Sequence, residues 1–140
     1  MKRSELVLLL GTNLGEREEN LCLALNMLDK AFGGRRLRIS PVLETEACGF
    51  DGPPFLNMVV VYSSARQPGT ILNICKRIER SMGRTDAPEY DAEGRRIYHD
   101  RIIDIDILFY GEHSVNTPSL TIPHPQVESR PFVKDLLQML

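Results

Sequence analysis

Apolar positions run unbroken over residues 6–10 and stop at Gly11, which reads as a buried strand. Behind it, Thr12 or Asn13 is placed to cap a helix. Its first turn carries Glu16, Glu18 and Glu19, carboxylates that favour the positive end of the helix dipole. Leu21, Leu25 and Leu28, with Phe32 beyond, recur at helical spacing, and Gly33 and Gly34 stop the helix. Leu37, Ile39 and Val42 alternate through residues 36–44 and predict a second strand, irregular at Pro41 where a backbone donor is missing. A Gly and Pro loop over 47–54 leads into 55–62, the third strand, with the strongest β composition in the chain. These two strands read as a hairpin-like pair. Pro68 suits the first turn of a second helix that keeps Ile71, Cys75, Ile78 and Met82 on one face and ends at Gly83. Residues 84–101 are polar and longer than an ordinary connection, as a flap over a site would be. IIDIDILFY at 102–110 is the fourth strand, and a C-terminal hairpin and a short helix from Pro131 complete the chain. The order β-α-β-β-α-β predicts an α/β (α+β) fold: a ferredoxin-like antiparallel sheet with both helices on one face.

Composition bounds this picture. A chain of 140 residues, 42% hydrophobic and 26% charged, is expected to be a single domain over 1–140. At that length roughly two-thirds of the unfolded surface is buried, enough for a core without disulfide or metal staples. A formal charge of -2 gives no basic face for nucleic acid, though it says nothing against small anions. Cys22, Cys48 and Cys75 lack metal-ligand spacing, and their odd number fits a reducing, cytoplasmic compartment. The start MKRSELVLLLG imitates a secretory signal, but Glu5 interrupts it, the apolar run is short and no cleavage site follows. No stretch approaches the ~18 apolar residues of a membrane span. The expectation is a monomer that acts on small molecules, with neither nucleic acid nor membrane as partner. Aromatic residues make up 6% with no Trp, so any ring outside the core matters.

The most informative chemistry is Asp104-Ile105-Asp106 inside an otherwise apolar strand. A period of two sends both carboxylates to one face, about 6.5–7 Å apart at Cα, while Ile103, Ile105 and Ile107 enter the other. Such a pair repels unless something positive lies between. Divalent metal ions answer this, and hard oxygen ligands with neither His nor Cys beside them in sequence favour Mg²⁺ over zinc. An exposed strand face whose acids pair with basic neighbours is the other reading. Lys76, Arg77, Arg80, Arg84, Arg95, Arg96 and Arg101 precede the strand, interleaved with acids as a solvated face would be. Arg101, three residues before Asp104, is spaced to reach phosphate oxygens that a metal also holds. Neither a P-loop nor a dinucleotide glycine fingerprint is present, so side chains and metal must bind any phosphate. Residues 11–15, GTNLG, resemble a phosphate turn, and capping of the first helix explains them as well. His124, held between Pro123 and Pro125, suits a phosphate contact or a proton donor, and equally a surface loop, while His99 precedes the fourth strand. Asn57 offers a donor and an acceptor to a heteroaromatic edge, and Phe55 shares its face.

Read in order, LGTNLG at 10–15, FLN at 55–57, RIIDIDIL at 101–108, LTIPH at 120–124 and RPF at 130–132 resemble one family. It is the 6-hydroxymethyl-7,8-dihydropterin pyrophosphokinases, folate-pathway enzymes that move the terminal diphosphate of ATP onto a pterin alcohol. The resemblance spans nearly the whole chain, and R-x-x-D-x-D-I followed by L-T-x-P-H is specific at this spacing. It implies that Asp104 and Asp106 bind two Mg²⁺ ions, with Arg101 and Arg84 joining them in catalysis. It places a reduced pterin between Phe55 and Phe132, with Asn57, Thr45 and backbone near Cys48 and Gly49 at its polar edge. For ATP it implies Lys76, Glu79, Arg84, Tyr98, Arg101, Ile107, Thr121, His124 and Arg130. Helical geometry sets Glu79 beside the Cys75 and Met82 face. The chain departs from the pattern at Asp86 and Ser119, where basic residues are common, at Tyr98, where a tryptophan is usual, and at Pro125. Its flap is longer than usual, so Arg95 or Arg96 is a candidate substitute contact, and the extension expected after the last helix is absent, which would alter the edge of the fold.

Overall fold

The apolar run at the start of the chain becomes β1 (Ser4–Thr12), which pairs antiparallel with β4 (Phe55–Ser64) on one side and β7 (Asp104–Tyr110) on the other. The computed structural model describes residues 2–47, 52–83, 89–90, 92–93, 96–97 and 102–140. The far edge of β4 carries β2 (Arg36–Ile39) and β3 (Leu43–Thr45) end to end, both antiparallel, giving the order β2-β4-β1-β7 with β3 beside β4. The expected second strand is thus two short ones, broken at the proline. Ser40 bridges the break: its N–H donates to Val59 O at 2.8 Å, and its hydroxyl accepts the Val59 N–H at 2.8 Å.

Helices α1 (Arg17–Ala31) and α2 (Pro68–Ser81) lie where the apolar spacing sets them. Gly33 and Gly34, with φ of +63° and +73°, end α1 in the left-handed region, and the Gly34 N–H closes on Asp29 O at 2.7 Å. The N-terminus of α1 differs from expectation. Its cap is Glu16, without a side-chain hydrogen bond, because Thr12 and Asn13 are still buried at the end of β1. After α2 come the short pair β5 (Glu89–Tyr90) and β6 (Arg96–Ile97), the C-terminal hairpin β8 (Val115–Asn116) and β9 (Thr121–Ile122), then α3 (Gln126–Ser129) and α4 (Pro131–Gln138). Of the expected flap, Arg84, Asp86, Arg95, Tyr98, His99 and Arg101 lie outside the described residues, as do Cys48 and Gly49.

The sheet is covered on both faces, which explains why β1 reads as a continuous apolar run and not as alternation. Leu6, Leu8 and Leu10 join Met58, Val60, Tyr62, Ile103, Ile105 and Ile107 in a core with Leu21 and Leu28 of α1 and Ile71, Cys75 and Ile78 of α2. Leu9, Val59 and Leu108 face the other way and pack on Val127, Val133 and Leu136 from the C-terminal helices. Along β2 the alternation does not mark a buried face, since Leu37, Ile39 and the following Val42 are all exposed at the sheet edge.

Candidate active site

Strand register assembles the site. Leu43, Asn57, Gly11 and Asp104 stand opposite one another across β3, β4, β1 and β7, forming one row over the sheet. Two residues along, Asp106 stands opposite Leu9, whose other partner is Val59. Residues paired across strands share a face, so both carboxylates, Asn57 and Phe55 are on the face of the C-terminal helices. Asp104 and Asp106 are half-exposed between Ile103, Ile105 and Ile107, which are buried in the opposite core. The period-two reading of this strand therefore holds.

Gly11 opens a gap in that row. A Cβ there would come within 3.3 Å of Asn57 Oδ1 and 3.6 Å of Phe55 Cδ1. Asn57, only 4% exposed, donates its amide to Thr45 Oγ1 at 2.8 Å and Leu43 O at 3.1 Å, which turns its carbonyl oxygen toward the gap. Thr45, Phe55 and Asn57, which the resemblance groups about one ring, lie together here. The segment before Phe55 is tied down from two sides. Asn13 Nδ2 donates to Pro53 O at 3.0 Å, and Arg17 reaches both Pro54 O and the Glu44 carboxylate at 2.9 Å. Asn20 donates to Thr12 Oγ1 at 3.3 Å and Leu14 O at 2.8 Å. The polar residues after β1 therefore brace loops instead of capping α1. Phe132, on α4, packs against the second core under the Arg130 guanidinium, 4.5 Å from its ring centroid.

On the other side of the row, a bulge brings a histidine to the acids. Residues Ile107–Phe109 oppose only Val7 and Leu8, so β7 shifts register there, and the Leu108 carbonyl accepts the His124 N–H at 3.0 Å. The preceding Ile122–Pro123 peptide is cis. His124 Nε2 stands 4.0 Å from Asp106 Oδ1, and its Nδ1 accepts the Gln126 backbone N–H at 3.2 Å. In the neutral ring the proton is therefore on Nε2, facing Asp106. Burial holds the His124 pKa below its usual value, opposed by the charge of Asp104. Gln126, 7% exposed, donates its side-chain amide to Asp106 Oδ2 at 2.8 Å and accepts from Arg130 Nη1 at 3.2 Å.

From below, α2 reaches the same strand. Glu79 is 2% exposed, and its carboxylate accepts the Ile105 N–H at 2.8 Å, between the two acids. One turn earlier, Cys75 is buried, and burial together with the charges of Glu79 and Asp106 pushes its thiol pKa up. Lys76 and Thr121 are half-buried. The Ile107 side chain points into the first core, leaving only its backbone to meet a ligand on the acidic face.

The donor set fits a hard divalent cation that draws its remaining ligands from substrate and water. Two carboxylates share a face, and among the described residues no cluster of three or more His, Cys, Asp and Glu is placed to hold a metal. An open cavity of about 650 Å³, lined by Ser4, Arg66, Gln67, Tyr110 and His113, lies at the opposite end of the strands and is separate from this site. Gly11, a strand end and part of a phosphate-like turn in the sequence, here opens the gap beside Asn57. Gln126 carries no signal in the sequence, because only the folding of α3 against β7 brings it to Asp106.

The family model for 7,8-dihydro-6-hydroxymethylpterin-pyrophosphokinase matches residues 7–140. A 2-amino-4-hydroxy-6-hydroxymethyldihydropteridine pyrophosphokinase of Porphyromonas gingivalis is 46% identical over 127 residues, covering 89% of this chain and 82% of its own. One of Bacillus subtilis is 31% identical, covering 89% of this chain and 70% of its own. A folate synthesis bifunctional protein of Arabidopsis thaliana is 39% identical over 92% of this chain, which corresponds to 25% of the larger protein.

Proposed function

Because the chain belongs to the 7,8-dihydro-6-hydroxymethylpterin-pyrophosphokinase family, we propose that it transfers the terminal diphosphate of ATP to the hydroxymethyl oxygen of 6-hydroxymethyl-7,8-dihydropterin. The hydroxyl oxygen bonds to the β-phosphorus, the bond between that phosphorus and the α–β bridging oxygen breaks, AMP leaves and the hydroxyl proton is lost. The observation that carries this reading is the cross-strand row of Asn57, Gly11 and Asp104. It sets an amide for a heteroaromatic edge and a carboxylate for the phosphate side on one face, with a gap between them.

In this reading the pterin ring enters at Gly11 and lies between Phe55 and Phe132. Asn57 and Thr45 meet its polar edge, together with backbone near Cys48 and Gly49. Asp104 and Asp106 hold two Mg²⁺ ions, which when bound neutralise phosphate charge and lower the pKa of the attacking hydroxyl. Lys76, Glu79, Thr121, His124, Arg130 and the Ile107 backbone shape the nucleotide side, where His124 offers its Nε2–H to a phosphate oxygen. Arg84, Tyr98 and Arg101, outside the described residues, are assigned to the same side, with the two arginines on the phosphates in flight. Glu79 holds the strand that carries the acids, so most of the catalysis is positioning and electrostatics. The strand order β2-β4-β1-β7 and the two helices sharing the first core support a ferredoxin-like description of the fold. We also place the protein in the cytoplasm as a monomer.

A nucleotide-product assay with hydroxymethyldihydropterin, ATP and Mg²⁺ tests the reading. AMP and the pterin diphosphate are expected in equal amounts. ADP as the sole nucleotide product, or free pyrophosphate released as the nucleotidyl group passes to another acceptor, would overturn it.

A further inference from the structure

Gln126 occupies an unusual electrostatic position. It is buried at the start of α3, with the Asp106 carboxylate 2.8 Å from its Nε2 and the Arg130 guanidinium 3.2 Å from its Oε1. That arrangement fixes the amide: flipped, it would turn its NH₂ toward a cation and its carbonyl toward an anion. The amide is also uncharged. If Arg130 met Asp106 directly, it would neutralise the carboxylate, whereas the amide spacer pins Oδ2 without bringing a charge to it. The Gln126 backbone contributes as well, since its N–H occupies His124 Nδ1 and leaves Nε2–H on the side of Oδ1, 4.0 Å away.

We propose that Gln126 is a positioning residue for phosphoryl transfer. Its side chain holds Asp106 through Oδ2 in the orientation required beside a divalent cation and keeps the Arg130 guanidinium one amide away, while its backbone N–H sets the proton of His124 on the side of Asp106. This rests on the diphosphotransfer reading above. Residues hydrogen-bonded to a metal-binding carboxylate tune metal affinity without touching the metal. Of the proposed pterin pocket, Asn57 and Thr45 share no hydrogen bond with Gln126 among those described, and Phe132 meets it only by way of Arg130.

The test compares wild type with Gln126→Met, which keeps the shape and removes both polar contacts, and Gln126→Asn, whose amide is one methylene short of Asp106. Mn²⁺ affinity in the presence of ATP, pterin affinity and melting temperature are measured by titration calorimetry and thermal unfolding, and kcat and KM by the product assay. Gln126→Met is expected to weaken Mn²⁺ binding about 10- to 100-fold and lower kcat by a similar factor, with pterin affinity at the wild-type value and the melting temperature lowered by only about 5 °C, the scale of the lost hydrogen bonds. Gln126→Asn should move in the same direction, and it carries the comparison alone if the methionine variant does not fold. Wild-type Mn²⁺ affinity in the variants would overturn the proposal. So would a loss of metal affinity, pterin affinity and melting temperature together, the mark of a merely structural residue. The Mn²⁺ titration needs no turnover, so a wild-type protein that binds Mn²⁺ with ATP yet forms no AMP would overturn the reaction and leave this inference standing.

Discussion

At the scale of single residues, the site depends on what each side chain leaves open as much as on what it contacts. Gly11 keeps space open, because a Cβ would stand 3.3 Å from Asn57 Oδ1, a tight approach to an amide already held by two hydrogen bonds, and would occupy the gap beside Phe55. Gly11→Ala is therefore expected to weaken pterin binding about tenfold, within the usual cost of overpacking, while ATP binding measured separately is unchanged. Equal losses for both ligands would place the pterin elsewhere. Phe132 supplies a ring on the same face, so Phe132→Ala should cost pterin binding about 1–3 kcal/mol, the scale of a buried, stacked ring. Asp104→Asn and Asp106→Asn each remove one charge of the carboxylate pair on this face. Each should reduce kcat by at least about 100-fold, the upper end of what losing even an outer-shell partner costs, with circular dichroism showing the fold retained.

Among elements, a strand here is defined as much by its interruptions as by its ladder. Pro41 splits the second strand into β2 and β3, and Ser40 supplies through its hydroxyl the acceptor that Val59 N–H would otherwise lack. Val59 is fully buried, so Ser40→Ala leaves that donor unsatisfied. A loss of about 1–3 kcal/mol in urea unfolding is expected, with kcat unchanged because Ser40 lies away from the acids. The bulge in β7 has the opposite use. By shifting register at Ile107–Phe109 it accompanies the bond from His124 to Leu108 O, which brings the Pro-flanked loop to the carboxylates. Glu79 fixes the same strand from α2 through the Ile105 N–H.

For the whole molecule, the sheet separates two cores: α1 and α2 cover one, and the C-terminal helices cover the other and bound the site. Cys75 belongs to the first core, with a thiol pKa raised by burial and by nearby carboxylates, whereas Cys22 is exposed. In a Cys48→Ser background, a thiol reagent at neutral pH should modify one cysteine in the folded protein and the second only after unfolding. Rapid modification of both would mean that α2 does not pack on the sheet as described. Much of this was legible in the sequence. Apolar spacing determined the main strands and helices, and the period of two in Asp-Ile-Asp determined that both acids share a face, because local periodicity is a property of the backbone alone. Resemblance joins Asn57, Phe55, Phe132 and His124 to one family through motif order along the chain. The remainder was decided only by the tertiary structure, since register and packing depend on residues far apart in the chain. Thr12 and Asn13 look like helix caps in isolation, yet the extra length of β1 carries them into the interior, where they brace loops. The exposed Leu37, Ile39 and Val42 alternate like a buried strand, but edge position outweighs pattern. Gly11 became a gap only through its pairing with Asn57 and Asp104, and Gln126 met Asp106 only because α3 folds back across β7.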